Sequence, residues 1–181
     1  MTDKELLSIL NNSGQVSVPY FDGVKLSVDL DSLTASEALP ALKNFLALSA
    51  ENRQSDAHHL VAYCKMMMDA VGDEEILEDM DGNAPTIENT WNYAKPTLLF
   101  FGKLEAGKYA ARPTVYVQIE GRVAWEPEHG LQMSWADGNR LVKAGAFDGH
   151  PTNGHAYGKP ERDQYVFYCY DLTLCTYPDQ A

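Results

Sequence analysis

The chain has no pair of cysteines at CxxC spacing, no apolar stretch near the roughly 20 residues that span a bilayer, and no excess of positive charge. Each shortage removes a class of protein. Cys64, Cys169 and Cys175 are an odd number without knuckle spacing, which points away from a disulfide framework and from a structural zinc site. Reduced thiols in a cytoplasm are the expectation. The opening Met1-Thr2-Asp3-Lys4-Glu5 is charged and lacks the apolar core of a secretory signal, so the protein is expected to stay where it is made, with no membrane partner.

Fourteen basic side chains stand against 26 acidic ones, a formal charge of −12. Such a field repels phosphate backbones, which argues against nucleic acid and anionic membranes as partners. A basic partner is the natural converse, and simple solubility is the plainer reading. The sequence has no GxSxG nucleophile elbow and neither GxGxxG nor GxxxxGK among its glycines. No cofactor is expected.

What remains is an ordinary globular composition, 45% hydrophobic and 22% charged over 181 residues. That length suits a single α+β domain over 1–181, helical to about residue 93 and mainly β over about 94–177. Residues 3–10 read as a short helix stopped by Asn11-Asn12-Ser13-Gly14. Val16-Ser17-Val18 and residues 24–28 alternate around Asp22-Gly23, a hairpin signal. Thr34-Ala35-Ser36-Glu37 matches a capping box, with Leu39, Leu42, Phe45 and Leu46 as the buried face of the helix it opens. Pro40 blurs where that helix begins. A second helix over about 55–71 carries Leu60, Cys64, Met67, Met68 and Val71 at helical spacing.

From residue 73 to residue 81 six of nine side chains are acidic, and Asp81-Gly82-Asn83-Ala84-Pro85 follows. An exposed acidic segment leading into a loop is predicted there, the best internal boundary. A short helical piece over 87–93 should end at Lys95-Pro96. Beyond residue 97 the period becomes two: residues 98–101, then Val115, Val117 and Ile119, then Leu131, Met133 and Trp135 mark strands. Asp137-Gly138 turns into a strand at 140–144, residues 145–158 read as a long irregular segment, and 165–174 reads as a last, aromatic strand. The fold class is therefore α+β, an N-terminal hairpin and helices packed on a mainly antiparallel C-terminal sheet.

Two constellations could carry chemistry. Trp125-Glu126-Pro127-Glu128-His129-Gly130 sets two carboxylates and an imidazole in a turn between strands, where a metal or an acid–base pair could sit. A polar connection with the imidazole bonded to backbone is the plainer reading. Asp148, His150 and His155 share the glycine-rich segment and are weak metal candidates, against an ordered surface loop built from local side-chain to backbone bonds. His58-His59 points about 100° apart on one helix and reads as a solvated face. Met66-Met67-Met68 reads largely as core, and Cys64 falls on an apolar face where a thiol is inert. Trp91, Tyr93, Trp125, Trp135, Tyr157, Tyr165, Tyr168 and Tyr170 crowd the C-terminal half beside many carboxylates, as interface anchors or as sheet core.

Taken as a set, Trp91-Asn92-Tyr93-Ala94-Lys95-Pro96-Thr97, the Trp125 to Gln132 turn, Asp137-Gly138 and Asp148-Gly149-His150-Pro151-Thr152-Asn153 resemble a family of uncharacterised bacterial domains of unknown function. Some of its members look like immunity proteins of polymorphic toxin systems. The resemblance covers about residues 90–153, with support from the early hairpin, and does not extend past Gly158. It implies an α+β fold, no carried-over catalytic residue, and stoichiometric neutralisation of a cognate toxin. Acidic surfaces complement basic toxins and speed association. The expected contact residues are Asp73, Glu74, Glu75, Glu78 and Asp79, with Trp125, Glu126, Glu128 and His129. From other classes stand a small metal-dependent hydrolase using His129, His150, His155 and Asp148, and a structural domain that homodimerises through its aromatics.

Overall fold

A computed structural model describes residues 1–178 of the chain. Helix α1 (Asp3–Asn11) is opened by Thr2, whose hydroxyl accepts from the Glu5 N–H while the Glu5 carboxylate accepts from Thr2. This reciprocal box satisfies donors that the first turn leaves orphaned. Strands β1 (Gln15–Val18) and β2 (Val24–Asp29) form the expected hairpin, with Asp22 in the left-handed region at φ +53°. Thr34 and Glu37 open α2 (Ala35–Phe45) with a second capping box, and Pro40 lies inside the helix, facing solvent.

The expected helix over 55–71 is α4 (Ala57–Val71), and a further short helix, α3 (Ala50–Ser55), precedes it across Asp56. Ser49, paired with Asn52, starts α3. The buried stripe of α4 is His59, Leu60, Tyr63 and Cys64, within its first half. Met67 and Met68 are only half-buried and Val71 is exposed, so the predicted face fades after two turns.

The acidic segment is exposed and leads into a loop as expected, but it is itself helical: it forms α5 (Asp73–Asp79), pinned by buried Ile76 and by Met80, whose sulfur lies 3.6 Å from the Cys64 thiol. Three acids in its first turn favour the helix through the positive end of its dipole.

Strands β3 (Ala94–Leu104), β4 (Thr114–Val123), β5 (Glu126–Ala136) and β6 (Arg140–Gly145) follow in antiparallel order. The hairpin does not pack on this sheet but extends it. β2 runs parallel to β3, with Ser27 opposite Leu98 and Asp29 opposite Phe100, giving six strands in the order β1-β2-β3-β4-β5-β6. The α+β class holds, mainly antiparallel, with the four helices α2 to α5 filling the single parallel crossover.

The sheet separates two environments. Val16, Val18, Leu26, Val28, Leu99, Phe101, Val117, Ile119, Leu131, Met133 and Trp135 form one apolar core with Leu42, Phe45 and Leu60 of the helices. Burying this much aliphatic and aromatic surface is the main driving force for the fold. At the β5–β6 turn Gly138 has φ +81°, and a Cβ there would lie 1.9 Å from the Ala41 carbonyl oxygen. Only glycine lets α2 approach so closely.

Over β5 and β6 the opposite face is not open to solvent either. Gln118, Gln132, Ser134 and Lys143 are buried on it beneath residues 146–155. Residues 145–158, expected to be irregular, contain α6 (Asn153–Tyr157), capped by Thr152, and bury Thr152 and Asn153. The aromatic segment expected as a final strand makes only one bridge among the described residues, between Phe167 and Thr176. Asp171 explains this: its carboxylate accepts from the Thr173 N–H and hydroxyl, turning the chain back before a strand can extend. The Val166 carbonyl still accepts from the Ala144 N–H at 2.9 Å and covers the edge of β6.

Candidate functional site

The turn joining β4 to β5 divides the first constellation in two. Trp125 is buried edge-on against Tyr63, at 5.9 Å between rings. Glu126 is buried as well. Its Oε2 accepts from the backbone N–H groups of His129 and Gly130 at 2.6 and 2.7 Å, and its Oε1 lies 3.1 Å from His129 Nδ1. The Tyr63 hydroxyl donates to the Gly130 carbonyl at 2.9 Å, while burial and the Glu126 charge push that phenol well above its ordinary pKa. Gly130 sits at φ +64°, where a Cβ would be 2.4 Å from the Gly121 carbonyl oxygen.

Trp125 and Glu126 are buried and hold the turn from inside. Glu128 and His129 remain exposed. Glu126, Glu128 and His129 bring one ligand atom each within 4.8 Å of one another. Oε2 of Glu126 is occupied by two backbone N–H donors, so Glu126 acts as a lock on the turn, while exposed Glu128 takes no part in it.

On α5, Asp73, Glu74, Glu75, Glu78 and Asp79 are all exposed. Their positions follow from amphipathicity, since Ile76 and Met80 face the core and the acids take the remaining positions.

The second constellation is organised by a residue the sequence did not single out. Lys143 of β6 is 3% exposed, pairs with Asp148 and donates to the His150 carbonyl at 2.9 Å. Burial holds its pKa below the usual lysine value, with Asp148 opposing that shift. Gln132 donates to Gln118 and to the His150 carbonyl, and its Oε1 accepts the N–H groups of Asp148 and Gly149. Asp148 Oδ1 also accepts the His150 N–H at 2.8 Å. These bonds fix the segment in one position.

The His150 and His155 rings lie edge to face at 4.9 Å, and His155 Nδ1 is buried with no hydrogen-bond partner among the described residues. Burial, then the neighbouring His150, lowers the pKa of His155. Asp148, His150 and His155 do not form a ligand cluster with His129 among the described residues. The Lys143 ammonium already takes the Asp148 carboxylate that a metal would need.

Of the adjacent helical histidines, His59 is not solvated. It is 1% exposed, and its Nδ1 meets the Thr176 hydroxyl at 2.6 Å. Desolvation, then His58, lowers its pKa to about 3. Cys64 is fully buried, which raises its thiol to about 12.

A surface the sequence showed only in part lies in the C-terminal segment. Tyr157, Tyr168 and Tyr170 stack in series at 5.0 and 6.5 Å, and Tyr165 joins Tyr168 and Tyr177 at 5.6 and 5.0 Å. The Arg162 guanidinium lies over the rings of Tyr157 and Tyr168, at 4.4 and 4.3 Å from their centroids. Tyr170, Tyr177 and Leu172 are 84%, 55% and 58% exposed. The density of tyrosines was legible, but the series became visible only once the expected strand proved to be a turn.

Residues 3–151 match the model of a family described as a domain of unknown function, DUF6985. The chain belongs to that family. No curated protein and no solved structure matches it. The tyrosine cluster lies beyond the matched region. No described helix is long and apolar enough to cross a membrane.

Proposed function

We propose that this DUF6985 member acts by binding a basic protein partner, and that the partner is a cognate toxin which the domain neutralises as an immunity protein in the cytoplasm. The observation that carries the reading is the exposed set Tyr157, Tyr170, Tyr177 and Leu172, with half-buried Tyr168 touching Tyr157 and Tyr170, on a chain of net charge −12. Tyrosine offers large contact area at small entropic cost and is enriched at interface hot spots. Aromatic residues this exposed contribute little to the stability of the monomer. The carboxylates of α5, with Glu128, supply the field that attracts a basic surface and raises the association rate. The toxin assignment rests on the family resemblance carried by the Trp91 and Trp125 motifs.

The test is co-expression with the product of the adjacent gene, reading growth rescue and a stoichiometric complex by size exclusion. Tyr170→Ala and Tyr177→Ala should each weaken that complex by about 2 kcal/mol or more if they are hot spots. Absence of both complex and rescue overturns the reading. A dimer of this chain alone at dilute concentration, lost in Tyr170→Ala, would instead assign the patch to self-association.

A further inference from the structure

The face of the sheet opposite the helices is only partly covered. Residues 146–155 lie over β5 and β6, and beside them a groove of roughly 420 Å³ runs over β2, β3 and β4. That volume is in the range of small-ligand pockets. Strand register places its floor: Asp29 lies opposite Phe100, and Leu98 lies opposite Glu120, all directed to this face. Phe147 closes the far wall, 6.0 Å from Phe100 between ring centroids. Asp31, beyond the end of β2, completes the lining of its acidic side.

The charges in the groove do not cancel. Asp29, Asp31 and Glu120 form no ion pair among the described residues, and half-buried Glu120 has no hydrogen bond to its carboxylate there either. Lys103 is the one lysine or arginine lining the groove, and Glu37 and Glu105 hold it at 3.3 and 2.8 Å. A partly desolvated carboxylate without a counter-charge is costly and attracts one. The three carboxylates are too dispersed to offer one metal their oxygens within 4.8 Å, as a compact site would. An elongated cation suits the spacing better than a point charge. Two phenylalanine rings and a leucine beside the acids suit an apolar stem, and aromatic faces attract cations.

From this we infer that the groove binds an organic cation carried on an apolar stem, an alkyl guanidinium or alkyl ammonium group, with its head at Glu120 and its stem against Leu98, Phe100 and Phe147, in the field of Asp29 and Asp31. This inference goes beyond the partner-binding reading and uses different residues. The cation could be supplied by a free polyamine or by an arginine or lysine side chain of another protein.

The test is calorimetric titration of the full chain with n-butylguanidinium and with neutral n-butylurea of matching shape. Saturable binding of the guanidinium with Kd on the order of 1 mM is expected, and about tenfold weaker binding of the urea. Glu120→Gln should weaken guanidinium binding about tenfold, whereas Asp69→Asn on α4, which removes the same charge elsewhere, should not. Phe147→Ala should weaken it without touching the acids, so a folding failure of one variant leaves the other decisive. Spermidine binding more tightly than an arginine-containing hexapeptide supports the site and assigns a free polyamine, and the reverse order supports it and assigns a protein side chain. No saturation by n-butylguanidinium up to about 20 mM, or equal affinity in wild type and Glu120→Gln, overturns the inference.

Discussion

Over β5 and β6 the two faces of the sheet are both covered, by opposite means. Beneath the helices Trp135 sits between Tyr20 and Phe45, with ring centroids 5.2 and 4.8 Å away. On the other side Gln132 and Lys143 are tied to the backbone of residues 148–150 by hydrogen bonds, and Gln132 also donates to the Gln118 side chain. Apolar packing is non-directional and tolerates small shifts, whereas a buried polar network is satisfied in few arrangements. The helix-covered face therefore supplies most of the stability. The loop-covered face supplies position, holding Phe147 at the wall of the groove.

That contrast can be broken by mutation. Trp135→Ala should cost about 3–5 kcal/mol in urea-induced unfolding, because it opens a cavity in the apolar core. Acid should act next. His59 is held neutral down to about 3 in the fold, against an unperturbed value of 6.5, so between those limits the unfolded chain binds the proton that the native chain refuses. Stability should fall as pH drops through that window, by up to about 1.4 kcal/mol per unit from this residue. His59→Gln should flatten the dependence in a pH series of unfolding curves.

On the loop side Lys143→Ala should cost about 1–3 kcal/mol, with its largest effect on hydrogen exchange at residues 146–152. An effect as global and as large as that of Trp135→Ala would erase the distinction between the faces. Within the β4–β5 turn the contrast recurs on a small scale. Glu126→Ala should cost about 1–3 kcal/mol through orphaned N–H groups, and Glu128→Ala less than about 0.5 kcal/mol, both readable by thermal melting.

Local chemistry made much of the architecture legible in the sequence. The Thr34 to Glu37 box, the Asp22 and Asp137 turns and the period-two runs each depend on neighbouring residues, and each appears where expected. What failed depends on contacts distant in sequence. Acidic α5 is helical because Ile76 and Met80 find the core, and Gln132 is buried because a segment 16 residues later folds over it. Of the candidate site, exposure was legible for α5 and for Glu128 and His129. It was not legible for Trp125 and Glu126, since the same residue types serve a surface or a buried turn. Lys143 gave no signal, because lysine on a strand ordinarily reads as solvent-facing.

The parallel pairing of β2 with β3 also sets a timetable for biosynthesis. Ser27 and its partner Leu98 stand about 70 positions apart, so a ribosome adding roughly 5–20 residues per second leaves the early ribbon waiting several seconds for its neighbour. A lone ribbon is marginal in water, and its unpaired side invites foreign strands. The nascent chain is thus most exposed to aggregation before the second half emerges, and chaperones that shield edges would be needed in that interval.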